Sequence, residues 1–137
     1  MPSLSLSFPA VITLFKILIG GSIYYVIEIL FRGYSHWSMF LLGGLCFYVC
    51  GLINSYLGHK VNIIEKMVLC MIAITILELI TGVLVNGVMG WQIWDYSDMP
   101  LQIFGQICVP FMILWYLISF PALLLNNFVD KIIFNTR

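Results

Sequence analysis

Ile63-Ile64-Glu65-Lys66-Met67-Val68-Leu69-Cys70-Met71-Ile72-Ala73-Ile74-Thr75-Ile76-Leu77-Glu78-Leu79-Ile80-Thr81-Gly82-Val83-Leu84-Val85 is the stretch that decides the fold. Its charges are Glu65 and Lys66 at the start and Glu78 well inside. As a helix rising 1.5 Å per residue it reaches about 35 Å, enough to cross a hydrocarbon core about 30 Å thick. Comparable apolar runs lie on either side. One covers about 9–31 and closes at Arg32-Gly33. The next covers about 37–57 and ends at the polar break Gly58-His59-Lys60. The last covers about 100–128. Each of these runs has the length that a membrane span requires, about 20 residues. The expected fold class is therefore all-α: an integral membrane four-helix bundle forming a single transmembrane domain over residues 1–137.

Composition supports this reading. Of 137 residues, 62% are hydrophobic and 9% charged, against roughly 25% charged in soluble domains. Four spans with short connections consume the chain and leave no room for a soluble catalytic or nucleotide-binding domain. Net charge is zero and the basic residues are scattered, which argues against a nucleic-acid partner. Cys46, Cys50, Cys70 and Cys108 all lie in apolar runs and read as small buried hydrophobes. His36 and His59 have no metal-ligand partners at usable spacing, so no metal is expected. The first apolar run is too long for a signal-peptide core and lacks a basic leader, so no cleavable signal is expected.

Orientation follows from the basic residues. With an even number of spans, Lys60, Lys66, Lys131 and Arg137 share one side, joined by Lys16 if it snorkels; the other side holds Arg32. The positive-inside rule makes the first side, with both termini, cytoplasmic. Tyr34, Trp37, Trp91, Trp94 and Tyr96 then form an outer interfacial belt. Ser97 or Asp98 is expected to cap the last helix, with Pro100 in its first turn and Pro110 and Pro121 as internal kinks.

Intramembrane carboxylates cost about 2.5–3.5 kcal/mol on insertion scales and mark function by default. Glu28 stands one helical turn before Arg32, roughly 6 Å below the outer boundary. Glu78 falls roughly 12 Å below that boundary, and Gln106, placed on the last helix, about 9 Å below it. Gly43 and Gly44 leave space at this depth, and Tyr24, Tyr25 and Thr81 can donate to the carboxylates. Trp94-Asp95-Tyr96-Ser97-Asp98 lies over the layer as an acidic aromatic loop. Each group also has a plainer reading. Glu28–Arg32 serves equally as a helix-end anchor, and Asp95 and Asp98 as turn or cap residues. Lys16 and Lys66 read as snorkelling anchors, and Asn54 as an interhelical hydrogen-bonding group.

Glu28-Ile29-Leu30-Phe31-Arg32-Gly33, Leu77-Glu78-Leu79-Ile80-Thr81-Gly82 and Trp94-Asp95-Tyr96-Ser97-Asp98-Met99-Pro100, with Gly105-Gln106-Ile107-Cys108, resemble the ABC-transporter type IV, or CmpB-like, membrane-protein family. The resemblance implies a permease-like role in a bacterial cytoplasmic membrane. It singles out Glu28, Arg32, Glu78, Trp94, Asp95, Tyr96 and Gln106 as binding candidates. No cofactor is implied, and ATP coupling would need a separate ATPase subunit, because the chain lacks the glycine-rich phosphate loop. Partners expected beside membrane lipid are a second copy of the chain or another membrane subunit, and a small polar or cationic ligand. Three functions stay open: a permease, an assembly subunit, and an intramembrane enzyme using Glu28 and Glu78 as acid and base.

Overall fold

Continuous apolar sequence with no internal hydrogen-bond competitor makes helix the default wherever water is scarce, because only the i to i−4 ladder satisfies the backbone. In the computed structural model, residues 8–134 are described, and four helices are long and apolar enough to span a membrane. They are α1 (Phe8–Arg32), α2 (Trp37–Leu57), α3 (Ile63–Gly82) and α4 (Val109–Phe128). Single π-helical segments extend α3 over Val83–Val88 and α4 over Val129–Ile133. Gly33 (φ 82°) ends α1 in the left-handed region where glycine is favoured. His36 opens α2, its Nδ1 accepting from the Ser38 backbone N–H at 3.1 Å. Asn62 opens α3 by accepting from the Glu65 N–H at 2.9 Å.

The helices run up and down in turn. Arg32 at the end of α1 meets Ile93, and the rings of His36 and Trp91 lie 5.4 Å apart, so the 33–36 turn and the 89–108 connection share one end. Phe15 and Phe134 meet edge to face at 5.1 Å at the opposite end. The 58–62 turn belongs there too, since Lys66 and Asn127 both bond Asn54. Arg137, counted above among the basic residues, lies outside the described residues.

Close approach of α1 and α2 depends on glycine. A Cβ on Gly21 would sit 2.5 Å from the Phe40 carbonyl oxygen, and one on Gly43 would sit 2.5 Å from Tyr24 Cβ. Gly43 thus leaves no open space, contrary to expectation: Tyr24 fills it. The central core gathers Cys50, Met67, Cys70, Ile74, Trp115 and Leu123, and a smaller core of Met39, Leu42, Val85 and Trp94 lies beneath the long connection.

Burial is inverted relative to a water-soluble domain. Large apolar side chains such as Leu30, Phe31, Val26 and Ile113 face outward, while Lys16, Glu28, Asn54, Glu78, Ser119 and Asn126 are buried. Lipid is the solvent in which that partition lowers the free energy, since apolar surface then costs nothing and polar groups find partners inside. Lys16 departs from the snorkelling expectation. It is 6% exposed and ion-paired with Asp130 at 2.9 Å, joining α1 to the end of α4. The half of the bundle that holds the chain ends is therefore not plain apolar helix.

The final helix begins at Val109 rather than Pro100. Met89 to Cys108 instead form an ordered non-helical connection that closes with a two-residue antiparallel ribbon. In it β1 (Gln102–Ile103) pairs with β2 (Ile107–Cys108). Pro110 explains the shift. It sits in the first turn of α4, where its missing N–H is no loss, and extended Cys108 (φ −151°) is the N-cap residue before Val109. Pro110 is accordingly a starter and not an internal kink; Pro121 alone lies within α4. Ser97 and Asp98 cap no helix.

Candidate functional site

At the connection-bearing end, α1, the π-helical extension of α3, the 89–108 segment and α4 enclose an open recess of about 740 Å³. Its framework starts from Asn86, a residue that sequence reasoning passed over. The Asn86 amide oxygen accepts from the backbone N–H groups of Ile93 (2.6 Å) and Trp94 (3.4 Å). Its Nδ2 donates to Gln106 Oε1 at 2.8 Å. Gln106 in turn donates to the Phe104 carbonyl at 3.0 Å, and its own carbonyl accepts from the Trp94 indole at 3.0 Å. Buried backbone groups away from regular structure need such partners, and this one amide serves two backbone N–H groups while tying them to the Gln106 side chain. The available signal was an isolated amide inside Val83-Leu84-Val85-Asn86-Gly87-Val88.

Gly82 makes room for this assembly. A Cβ there would lie 2.9 Å from Trp94 Cζ2 and 3.0 Å from Gln106 Cβ, and would press on Gln106 Oε1. Trp94 is consequently 7% exposed. It is a core residue beneath the connection, not part of an interfacial belt. Tyr96 leaves the belt too, stacking on Phe111 with ring centroids 4.8 Å apart and planes within 10°. Phe31, Tyr34, Trp37, Trp91 and Phe104 are exposed at that end.

Arg32 is engaged on three sides. Nη1 pairs with Glu28 Oε2 at 2.9 Å, Nη2 donates to the Ile93 carbonyl at 2.8 Å, and the guanidinium carbon stands 4.6 Å over the Tyr34 ring. Apart from that ion pair, Glu28 Oε2 makes no hydrogen bond. Tyr24 lies beside Glu28, and both are within electrostatic reach of Glu78. Glu78 is 3% exposed and has no ion pair with a basic side chain among the described residues. Trp115 Nε1 faces it without closing a hydrogen bond of normal geometry.

Of the residues singled out from the sequence, Glu28, Arg32, Trp94, Asp95, Tyr96 and Gln106 line the recess. Glu78 does not; it is buried within electrostatic reach of Tyr24 and Tyr96, with Trp115 beside it. Gln106 reaches the site from the turn before β2 and not from a helix. Asp95 forms a local turn in which its Oδ1 accepts from the Ser97 N–H at 2.9 Å and from the Ser97 hydroxyl. Those bonds, the hydroxyl's first, hold its carboxyl below the usual carboxylate range. Burial, reinforced by Glu78, holds the Tyr96 hydroxyl well above the ordinary phenol range and keeps it a neutral donor. The described residues contain no group of three or more His, Cys, Asp or Glu placed to hold a metal ion.

Four helices long and apolar enough to cross a membrane, enclosing buried acidic and amide groups, define an α-helical membrane protein. The chain belongs to the family described as "Putative ABC-transporter type IV", whose model matches residues 13–136, nearly its whole length. No curated protein and no solved structure matches it.

Proposed function

We propose that the protein is a permease-like component of a membrane transport system, whose recess binds a cation or a small polar solute from the outer side. The observation that carries this reading is an imbalance of committed charge. Arg32, the basic residue on the recess wall, is already bound to Glu28, Ile93 and Tyr34. Asp95 remains ionised on the rim, beside the Glu28 carboxylate of the wall. A cation entering there meets carboxylates, whereas an anion meets no free guanidinium or ammonium. Lys60, Lys66 and Lys131 at the opposite end support placing that end, with both termini, in the cytoplasm.

Four helices make a thin wall for a translocation path, so the reading includes a second copy or a partner subunit. ATP use would rest on that partner, since the chain has no phosphate loop. Reconstitution in liposomes tests the proposal: a solute should bind or cross, and Glu78→Gln should abolish the effect. Absence of binding and flux across a panel of cations and polar solutes, with and without co-purified subunits, would refute it. A second reading, a subunit that assembles on another membrane protein, draws on an apolar groove between α2 and α3 lined by Leu52, Ile53, Tyr56, Leu69 and Ile76. Stoichiometric co-purification lost on Ile76→Trp would favour it.

A further inference from the structure

Extending the cation reading above, and resting on it, we infer that the recess takes an organic ammonium ion with alkyl substituents rather than a metal ion. Four aromatic residues, Tyr24, Tyr96, Phe111 and Trp115, line the recess. Tyr96 stacks on Phe111 at 4.8 Å, Phe111 meets Trp115 at 6.1 Å, and Trp115 meets Tyr24 edge to face at 6.0 Å. Ring faces attract a cation held within about 6 Å of the centroid, most strongly where water is excluded.

Glu78 lies within electrostatic reach of Tyr24 and Tyr96 but does not line the recess. Glu28 adds a carboxylate on the wall itself, with Oε2 bound to Arg32 alone. A carboxylate beside aromatic rings suits a diffuse, weakly hydrated cation. A calcium or magnesium ion would need about six or more oxygen ligands in one shell, and no three His, Cys, Asp or Glu among the described residues are grouped to hold one. The size agrees as well, since about 740 Å³ falls in the range of sites for small organic molecules. An anionic or zwitterionic ligand would have to displace Glu28, Ile93 and Tyr34 from Arg32.

The experiment is equilibrium dialysis of the full chain in detergent with radiolabelled tetraethylammonium, which is too hydrophilic to partition into micelles. Potassium and benzoate ions serve as competing probes. Saturable binding is expected, unaffected by equimolar potassium or benzoate. Phe111→Leu, which keeps an apolar side chain but removes the ring, should weaken it about tenfold, and so should Glu28→Gln. Tyr96→Leu provides a second ring deletion outside the helices should Phe111→Leu misfold. Binding of potassium or benzoate without tetraethylammonium would overturn the inference; the potassium result would leave the cation reading standing. Tetraethylammonium binding unchanged in the ring and carboxylate variants would also overturn it, by placing the ligand elsewhere. Failure of every probe in liposomes and detergent alike would remove both readings together.

Discussion

At the scale of single residues, the polar groups that carry meaning are those whose partners lie on other elements. Lys16 and Asp130 are the clearest case: their side chains are 7% and 14% exposed and their nearest atoms lie 2.9 Å apart. Removing one member of a buried pair strands the other charge, at about 3–5 kcal/mol, whereas removing both is close to neutral. Lys16→Met should therefore lower stability in micelles by about that amount, and Lys16→Met with Asp130→Leu should recover most of it. Denaturant titration followed by circular dichroism checks this; equal losses in the single and double variants would show that the pair does not act as one. Asp95 offers a separate titration. Its folded value is depressed by Ser97, so its stabilising contribution is present above the unfolded value, about 3.9, and lost as pH falls through the lower folded value. Ser97→Ala should raise the Asp95 titration toward 3.9, read by carbon-13 carboxyl shifts. An unmoved titration would discard the assigned cause.

At the scale of elements, α1, α2 and most of α3 were legible because length and apolarity suffice to specify a span. The segment after Val88 was not. Its form depends on contacts distant in sequence, such as Asn86 with Ile93 and Gln106, and on positive φ at Gln92, Leu101 and Phe104, which composition does not announce. Pro110 was visible but ambiguous, since proline serves equally at a kink or at a helix start. Likewise Lys16 reads as a snorkelling anchor until Asp130, more than a hundred residues on, is seen beside it. Gly82 tests whether the connection is packed as described. Gly82→Ala should cost about 1–3 kcal/mol and push Trp94 toward solvent, shifting its emission to longer wavelength while helicity stays intact. Asn86→Ala should expose 89–108 to limited proteolysis, because it strands buried N–H groups that cost about 1–3 kcal/mol each. A proteolytic pattern unchanged in that variant would mean that the amide is not the organising group.

At the scale of the whole molecule, the two ends differ in kind. One carries Glu28, Glu78, Asp95 and Asp98 with Arg32; the other carries Lys16, Lys60, Lys66 and Lys131 with Glu65 and Asp130. Only charges that remain in water or at the headgroups can bias insertion, so the buried Lys16–Asp130 pair counts for little. Lys60 and Lys131 are exposed, and they set the sign at their end. Arg32 is held by Glu28 at the opposite end, which leaves no free basic residue among the described ones there. The bias therefore keeps its direction when the two paired residues are set aside. Native cysteines are buried or half-buried, so single exposed cysteines report sidedness cleanly. Lys60→Cys should react with a membrane-impermeant maleimide in inverted vesicles and stay silent in intact spheroplasts, and Asp98→Cys should do the reverse. The opposite pattern would turn the recess toward the cytoplasm and with it the direction from which a ligand enters. Labelling of both positions from the same side would break the four-span arrangement itself.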